Sequence, residues 1–248
     1  MTGLIAFYDD MVPPTRLVAQ MDELGVRVEP VIECLPTVGV PCVVVGRASP
    51  AKVRQGLTVP SHGFVEWNPG DRQPVPQACL DCAGRGGLAL ALNTRIAYQT
   101  DIAQQFTEAL LVRFPKLAAI LGDIELSLAE AVANAIIHGN LGIGSKMRSD
   151  FAGFALFQAT LMERLEDPDR AGRRVEITAL PVGDHGLKLS VTDQGDGYDI
   201  EAEMRKSPRA EAKSGRGLGL IRQLASDIQV AAGGRTLTMD FNQPITAR

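Results

Sequence analysis

The sequence predicts an α/β protein of two units, a small α/β unit over 1–85 and a larger one over 86–248. Three observations support this. Residues 3–46 alternate short apolar runs with one helical pattern, the spacing of a parallel α/β unit. Residues 174–193 read as two alternating strands joined by Gly183, Asp184 and His185, a hairpin turn. Between them, residues 56–87 are rich in Gly and Pro, which marks a boundary between units.

Taken in order, 3–9 (GLIAFYD) is a short buried strand closed by Asp9 and Asp10. A helical pattern over 14–24 stops at Gly25. Residues 26–32 and 41–46 are the second and third strands, the third apolar throughout as a central parallel strand is. One more strand is expected at 63–67 inside the loop-rich stretch. From 88 to 112 a helical pattern returns through Leu88, Leu92, Ile96, Ile102, Phe106 and Leu110. A central helix follows, with Ser127 as N-cap and Glu130 at capping-box spacing. Residues 146–170 are helical in composition, 174–181, 186–193 and 236–241 are strands, and 217–227 is a helix.

Composition excludes several classes. The 248 residues are 45% hydrophobic and 22% charged with a net charge of −4, ordinary for a globular protein with a real core. The basic residues are scattered apart from Arg170, Arg173 and Arg174, so nucleic acid is not an expected partner. No apolar run approaches the roughly 18 residues that cross a membrane. The start carries no basic-then-apolar leader, and a cytoplasmic location is expected. Of the four cysteines, Cys79 and Cys82 form a CxxC, while Cys34 and Cys42 are badly placed to complete a zinc site. Reduced, unpaired thiols at a unit junction are the expectation.

Three stretches carry candidate chemistry. In 125–144 (ELSLAEAVANAIIHGNLGIG), Glu130, Asn134 and His138 fall four apart, one stripe of a helix whose other side is apolar. A solvated face gives the same pattern, and a capping box gives Glu130 a structural role instead. The strand 186–193 runs into DQGDGYD, where Asp193 is placed to accept an N–H from an exocyclic amine such as that of adenine. Gly195 and Gly197 allow close ligand approach there; a plain turn has the same composition. In SGRGLGLIRQLASDI, Gly215, Gly217 and Gly219 lead into a helix, whose N-terminal N–H groups suit phosphate. A dinucleotide fingerprint fails because Leu220 stands at the sixth place, and no P-loop triplet exists.

Together, in this order, the three motifs resemble the GHKL ATPase superfamily over about residues 100–243. NAIIHGN and SGRGLGLIRQLASD are most similar to the anti-sigma-factor serine/threonine kinase branch. The stretch EDPDRAGRRVEIT resembles a bacterial subgroup in which this domain follows a receiver domain. The resemblance implies a two-layer α/β sandwich of the Bergerat type, preceded by a small receiver-like α/β unit. It implies ATP and Mg²⁺ as cofactors. Asn134 would hold the Mg²⁺, Glu130 would act as the catalytic carboxylate and Asp193 would bind the adenine amino group. Gly195 and Gly197 would shape the base pocket. Gly215, Gly217, Leu218 and Gly219 would cradle the phosphates below a lid over about 198–214, with Lys213 and Arg216 assisting. His138 would be a hydrogen-bonding residue at the pocket mouth.

The implied activity is phosphorylation of Ser or Thr on a protein partner, an anti-sigma antagonist or sigma-factor-like regulator. No dimerisation helix with a phosphoacceptor histidine precedes the ATPase part, so histidine autophosphorylation is not expected. Two other readings stay open: an ATP-dependent module that sequesters a regulator with little turnover, and a histidine-kinase-like core working in trans. A homodimer is compatible with all three. The N-terminal unit departs from a receiver where it matters, since Gly46 and Arg47 end the third strand without a carboxylate. The stretch is also short, matching the first half of a receiver, with Asp9 and Asp10 read as a solvated strand end.

Overall fold

A computed structural model of the chain describes residues 3–31, 39–70, 73–144, 151–197 and 216–242. The described residues form one nine-stranded sheet in the order β2-β1-β3-β4-β5-β6-β7-β9-β8. The strands are β1 (Ile5–Tyr8), β2 (Arg27–Pro30), β3 (Cys42–Gly46), β4 (Ser61–Glu66), β5 (Leu88–Asn93), β6 (Arg174–Val182), β7 (Gly186–Thr192), β8 (Asp227–Ala231) and β9 (Thr236–Asn242). Strands β2 to β5 pair in parallel. From β5 onward every pair is antiparallel. The parallel half runs 2-1-3-4-5, the flavodoxin-like doubly wound order, and it is complete by Asn93. The expectation of only half such a unit is corrected: short connecting helices let all five strands fit.

Those helices are α1 (Thr15–Glu23), α2 (Pro50–Leu57) and α3 (Gln77–Gly84). The latter two lie in or beside the stretch read as loop. Pro50 sits at the first turn of α2 behind the Ser49 N-cap, where its missing N–H costs the helix nothing. In α3, Cys79, Leu80, Cys82 and Ala83 are buried.

Segment 88–112 is also corrected. It opens as β5, then continues as α4 (Thr94–Gln99) and α5 (Ile102–Arg113). The run LALALN has a period of two in side-chain size. Leu88, Leu90 and Leu92 enter one core, Ala89 and Ala91 the other. The leucine core is shared by α2, α5 and α6 (Leu121–Asn134), and by the inward residues of β6, β7 and β9. The alanine face is covered by α1 and α3, with Trp67 edge-on to Tyr8 at 6.2 Å. So the sheet is covered on both faces in its parallel half and on one in its antiparallel half, a two-layer sandwich. The open face carries polar cross-strand pairs, Ser190 with Thr238 at 2.9 Å and Thr192 with Thr236 at 3.0 Å. Between Gly84 and Leu88, where the boundary between units was expected, the sheet is unbroken, since β5 pairs with both β4 and β6.

After α5 come a 3₁₀ turn (Pro115–Ile120), α6, a π turn (Ala135–Asn140), α7 (Phe151–Glu166) and α8 (Pro168–Ala171), then the β6–β7 hairpin and α9 (Arg216–Leu224). The helix expected over 146–170 divides at Asp167, whose side chain caps α8. The helix expected over 217–227 ends at Leu224, and the edge strand β8 follows, which sequence reading missed. Its composition, DIQVA, has no clean alternation, because all but Ile228 are exposed. No helix among the described residues is long and apolar enough to cross a membrane.

Candidate functional site

The site grows from α6. This helix starts at Leu121, so Ser127 is not its N-cap but a fully buried interior residue. The capping-box role for Glu130 is therefore overturned, and its carboxylate has no backbone duty at the helix start. Glu130 and Asn134 stand one turn apart, and α9 crosses them at its first glycine. A Cβ at Gly217 would collide with Glu130 Oε2 and come within 3.6 Å of Asn134 Nδ2. With any other residue at 217 the Glu130 carboxylate must move from its present place against α9.

After Asn134 the helix widens to a π turn, and Leu141 N–H donates to the Ile136 carbonyl five residues back at 2.9 Å. This breaks the stripe read from the sequence. The residue one π turn below Asn134 is Gly139, and His138 turns away, its Nδ1 bonded to the Ile143 carbonyl. The expectation of His138 at the pocket mouth is corrected to a residue that fastens the segment leaving the π turn; the cavity lining does not include it.

Gly139 meets the end of β7. A Cβ there would lie 2.5 Å from the Asp193 carboxyl carbon, and one at Gly195 would collide with the Gly139 carbonyl. Asp193 is 7% exposed. Its Oδ1 accepts the Gly195 N–H at 2.8 Å, and its backbone N–H donates to the Arg235 carbonyl at 2.9 Å. Burial pushes its carboxyl up to about 6, against the opposing pull of the Gly195 N–H, Arg235 and Arg173. No hydrogen bond from the described residues occupies Oδ2. A buried carboxylate with one oxygen to spare faces a cavity lined by Ala131, Asn134, Ala135, Val191, Gly234, Arg235 and Leu237. An acid and an amide converge on this cavity, which at about 10 Å³ has room for a water-sized group as it stands.

Of the other expected residues, Gly197 lies in the loop after Asp193 with φ +77°. Leu218 and Gly219 lie in the first turns of α9, and a Cβ at Gly219 would meet nothing within 4 Å. Arg216 opens α9. Lys213, Gly215 and the lid over 198–214 fall outside the described residues.

Sequence reading missed the support beneath the site. Asn140 is fully buried. Its Nδ2 donates to Thr94 Oγ1 at 2.8 Å and to the Arg174 carbonyl at 3.0 Å, while its Oδ1 accepts the Gln194 N–H at 2.7 Å. Gln194 Oε1 accepts the Arg174 N–H at 2.7 Å. One asparagine thus fixes the residue next to Asp193. No spacing signals this, because its partners come from three distant segments.

The carboxyl ends of the parallel strands lie at the same end of the sheet. Buried Glu66, ending β4, accepts the Asn93 N–H at 2.7 Å and Asn93 Nδ2 at 2.5 Å. Asp9 is paired with Lys52, its side chain only 6% exposed, which corrects the reading of a solvated strand end; Asp10 is exposed. A Cβ at Gly46 would collide with the Asp9 carboxyl. Cys79 and Cys82 are free and buried within α3, and burial pushes both thiols up, Cys82 to about 11. That environment suppresses the thiolate. No cluster of metal-ligating side chains occurs among the described residues, and Cys34 lies outside them.

Residues 92–241, more than half the chain, match the family model of the histidine kinase-like ATPase domain. The chain belongs to this family. No curated protein matches it. The match begins inside β5 and ends in β9, so it spans all three motifs, and membership carries the GHKL resemblance at the level of the superfamily. It also makes the chain an ATP-binding protein of regulatory type, in a class that generally works with Mg²⁺. The matched region takes in only the last two residues of β5, which is also the last strand of the parallel half.

Proposed function

We propose that the chain is a Mg·ATP-dependent regulatory kinase of the anti-sigma-factor type, acting on a serine or threonine of a protein partner. The observation that carries this reading is the meeting of Glu130, Asn134 and Gly217, residues of two separate motifs, beside the cavity that ends at Asp193. In this reading Asp193 accepts the N–H of the adenine amino group, and the start of α9 turns its backbone N–H groups toward the phosphates. The Asn134 carboxamide oxygen would hold Mg²⁺, which when bound would supply neutralisation of phosphate charge. Glu130 accepts the proton of the incoming hydroxyl. The hydroxyl oxygen bonds to the γ-phosphorus as the bond to the β–γ bridging oxygen breaks, and ADP leaves with that electron pair.

The N-terminal half fits a receiver-like unit that no longer takes a phosphoryl group. Gly46 stands where a phosphoacceptor would end β3, and the Asp9–Lys52 pair fills the space above it.

The test is incubation with ATP labelled at the γ-phosphate in a cell lysate, followed by identification of the labelled residue. Acid-stable label on Ser or Thr of one protein supports the kinase. ATP binding with no labelled protein favours a sequestering module, and acid-labile label on histidine favours a core acting in trans.

A further inference from the structure

The turn between β8 and β9 carries an arginine that no motif accounts for. Ala232, Gly233 and Gly234 have φ of 53°, 68° and 91°, three successive left-handed residues of which the first is not glycine. This backbone presses the turn on the loop after Asp193, where a Cβ at Gly197 would collide with the Gly233 carbonyl and lie 3.5 Å from Arg235 Cγ. Arg235 follows. Its Nε donates to the Ala232 carbonyl at 2.9 Å, which tethers the guanidinium across the turn, and its own carbonyl accepts the Asp193 N–H. Arg235 is exposed and is one of the residues lining the cavity shared with Asn134 and Asp193. Among the described residues it makes no salt bridge.

We propose that Arg235 is a second base-recognition residue, its guanidinium lying against the bound purine whose amino group Asp193 receives. This rests on the nucleotide-binding reading above. A tethered, planar cation with no acidic partner in contact is suited to the face of a π system. The turn closes the β8–β9 hairpin, and Ala232, its one left-handed residue with a side chain, supplies the carbonyl that tethers the guanidinium.

Arg235 also bears on the state of Asp193. The groups around that carboxyl are Arg235 from the turn, Arg173 from the approach to β6, the Gly195 N–H and Asp196 on its own loop, and uncharged Gly139 and Asn134 from the helix side. Burial works against the charge, and the two arginines work for it.

The experiment compares wild type, Arg235→Ala and Arg235→Lys in titrations with ATP, adenosine and inorganic tripolyphosphate, at pH values from 5 to 8. Arg235→Ala is expected to weaken adenosine and ATP by the same factor, about tenfold, and to leave tripolyphosphate unchanged. The pH midpoint of its ATP affinity moves upward. Arg235→Lys keeps the midpoint, because it keeps the charge, and loses affinity because an ammonium lacks the flat face. Loss of tripolyphosphate binding in Arg235→Ala would make it a phosphate contact and overturn the proposal. So would equal loss for all three ligands with an unmoved midpoint, the mark of a merely structural role, or unchanged adenosine affinity. If wild type itself binds neither adenosine nor ATP, the nucleotide reading falls, an outcome separate from any behaviour of the variants.

Discussion

Asp193→Asn is expected to make the protein more stable and worse at binding ATP. The free carboxyl titrates near 3.8, and burial raises it to about 6 in the folded chain. Each unit of difference is about 1.4 kcal/mol, so holding this charge folded above pH 6 costs on the order of 3 kcal/mol. The folded state binds more protons than the unfolded one between those two values. The contribution of Asp193 to stability is therefore best below about 4 and declines as pH rises to 6, with the full cost present above that. Asparagine does not titrate, and its Oδ1 still accepts the Gly195 N–H seen at 2.8 Å. The variant should exceed wild type by about 1–3 kcal/mol at pH 8, the lower end allowing for imperfect repacking of the amide against Gly139. Its advantage should shrink toward pH 5.

Nucleotide affinity has the opposite sign. ATP needs the acceptor oxygen that the amide replaces with a donor, and the loss is about 1–3 kcal/mol, roughly 5- to 150-fold. In wild type, ATP affinity should fall as pH drops through 6. Urea midpoints at pH 5 and 8 and a fluorescent ATP analogue measure both quantities. A variant that is less stable than wild type by the same amount at both pH values would refute the buried-charge argument. Unchanged ATP affinity would refute the adenine assignment.

Glu130→Gln should bind Mg·ATP almost normally and lose about 10²- to 10⁴-fold in phosphoryl transfer to the partner, since the carboxylate serves the nucleophile and not the nucleotide. Its stability should be close to wild type, because position 130 is interior to α6 and glutamine has nearly the same helix propensity; full activity would remove Glu130 from the chemistry. Asn134→Ala should lose Mg²⁺-dependent nucleotide affinity and turnover together, and affinity independent of Mg²⁺ in wild type would argue against the metal role. Asn140→Ala leaves the Gln194 N–H without its acceptor, at about 1–3 kcal/mol if it stays buried, while the Thr94 hydroxyl keeps its bond to the Arg173 carbonyl. It should lower the urea midpoint and ATP affinity together; a change in neither would show that the network is dispensable. Acetyl phosphate should leave residues 1–85 unlabelled, and an acyl phosphate on Asp9 or Asp10 would contradict the closed Asp9–Lys52 arrangement.

The parts legible in the sequence were those with local causes. The β6–β7 hairpin declared itself by alternation, and the order of the three motifs gave the family. Gly217 and Gly195 were picked out as glycines, although what they make room for, Glu130 and Gly139, became visible only in space. The misreadings have one physical origin, which is that a short apolar run carries two periods at once. LALALN has leucines four apart, as a helix would, and leucines two apart, as a strand does. Only its position between β4 and β6 decides for the strand. Ser127 looked like a cap because serine before an apolar run usually is one, yet the preceding turn, with Ile124 fully buried, already belongs to the helix. The π turn has no composition signal, so Glu130, Asn134 and His138 looked like one stripe when only the first two are.

The same β5 gives the N-terminal half its meaning. Two domains joined by a loop would move against each other by default, as modest interfaces allow. Here the connection is a sheet, with six paired positions from Leu88↔Ala179 to Asn93↔Arg174. At the end of that strand the polar chain runs on. Glu66 holds Asn93, Asn93 caps α4 through the Ile96 N–H, and Thr94 takes the Asn140 amide that fixes Gln194 beside Asp193. Each link is a hydrogen bond between groups with little access to water, where an unmade bond is costly. Displacing the parallel half therefore means breaking bonds that also seat Asp193. The parallel half, with Asp9 paired to Lys52 and its last strand paired to β6, is thus joined to Asp193 by a sheet and a run of hydrogen bonds.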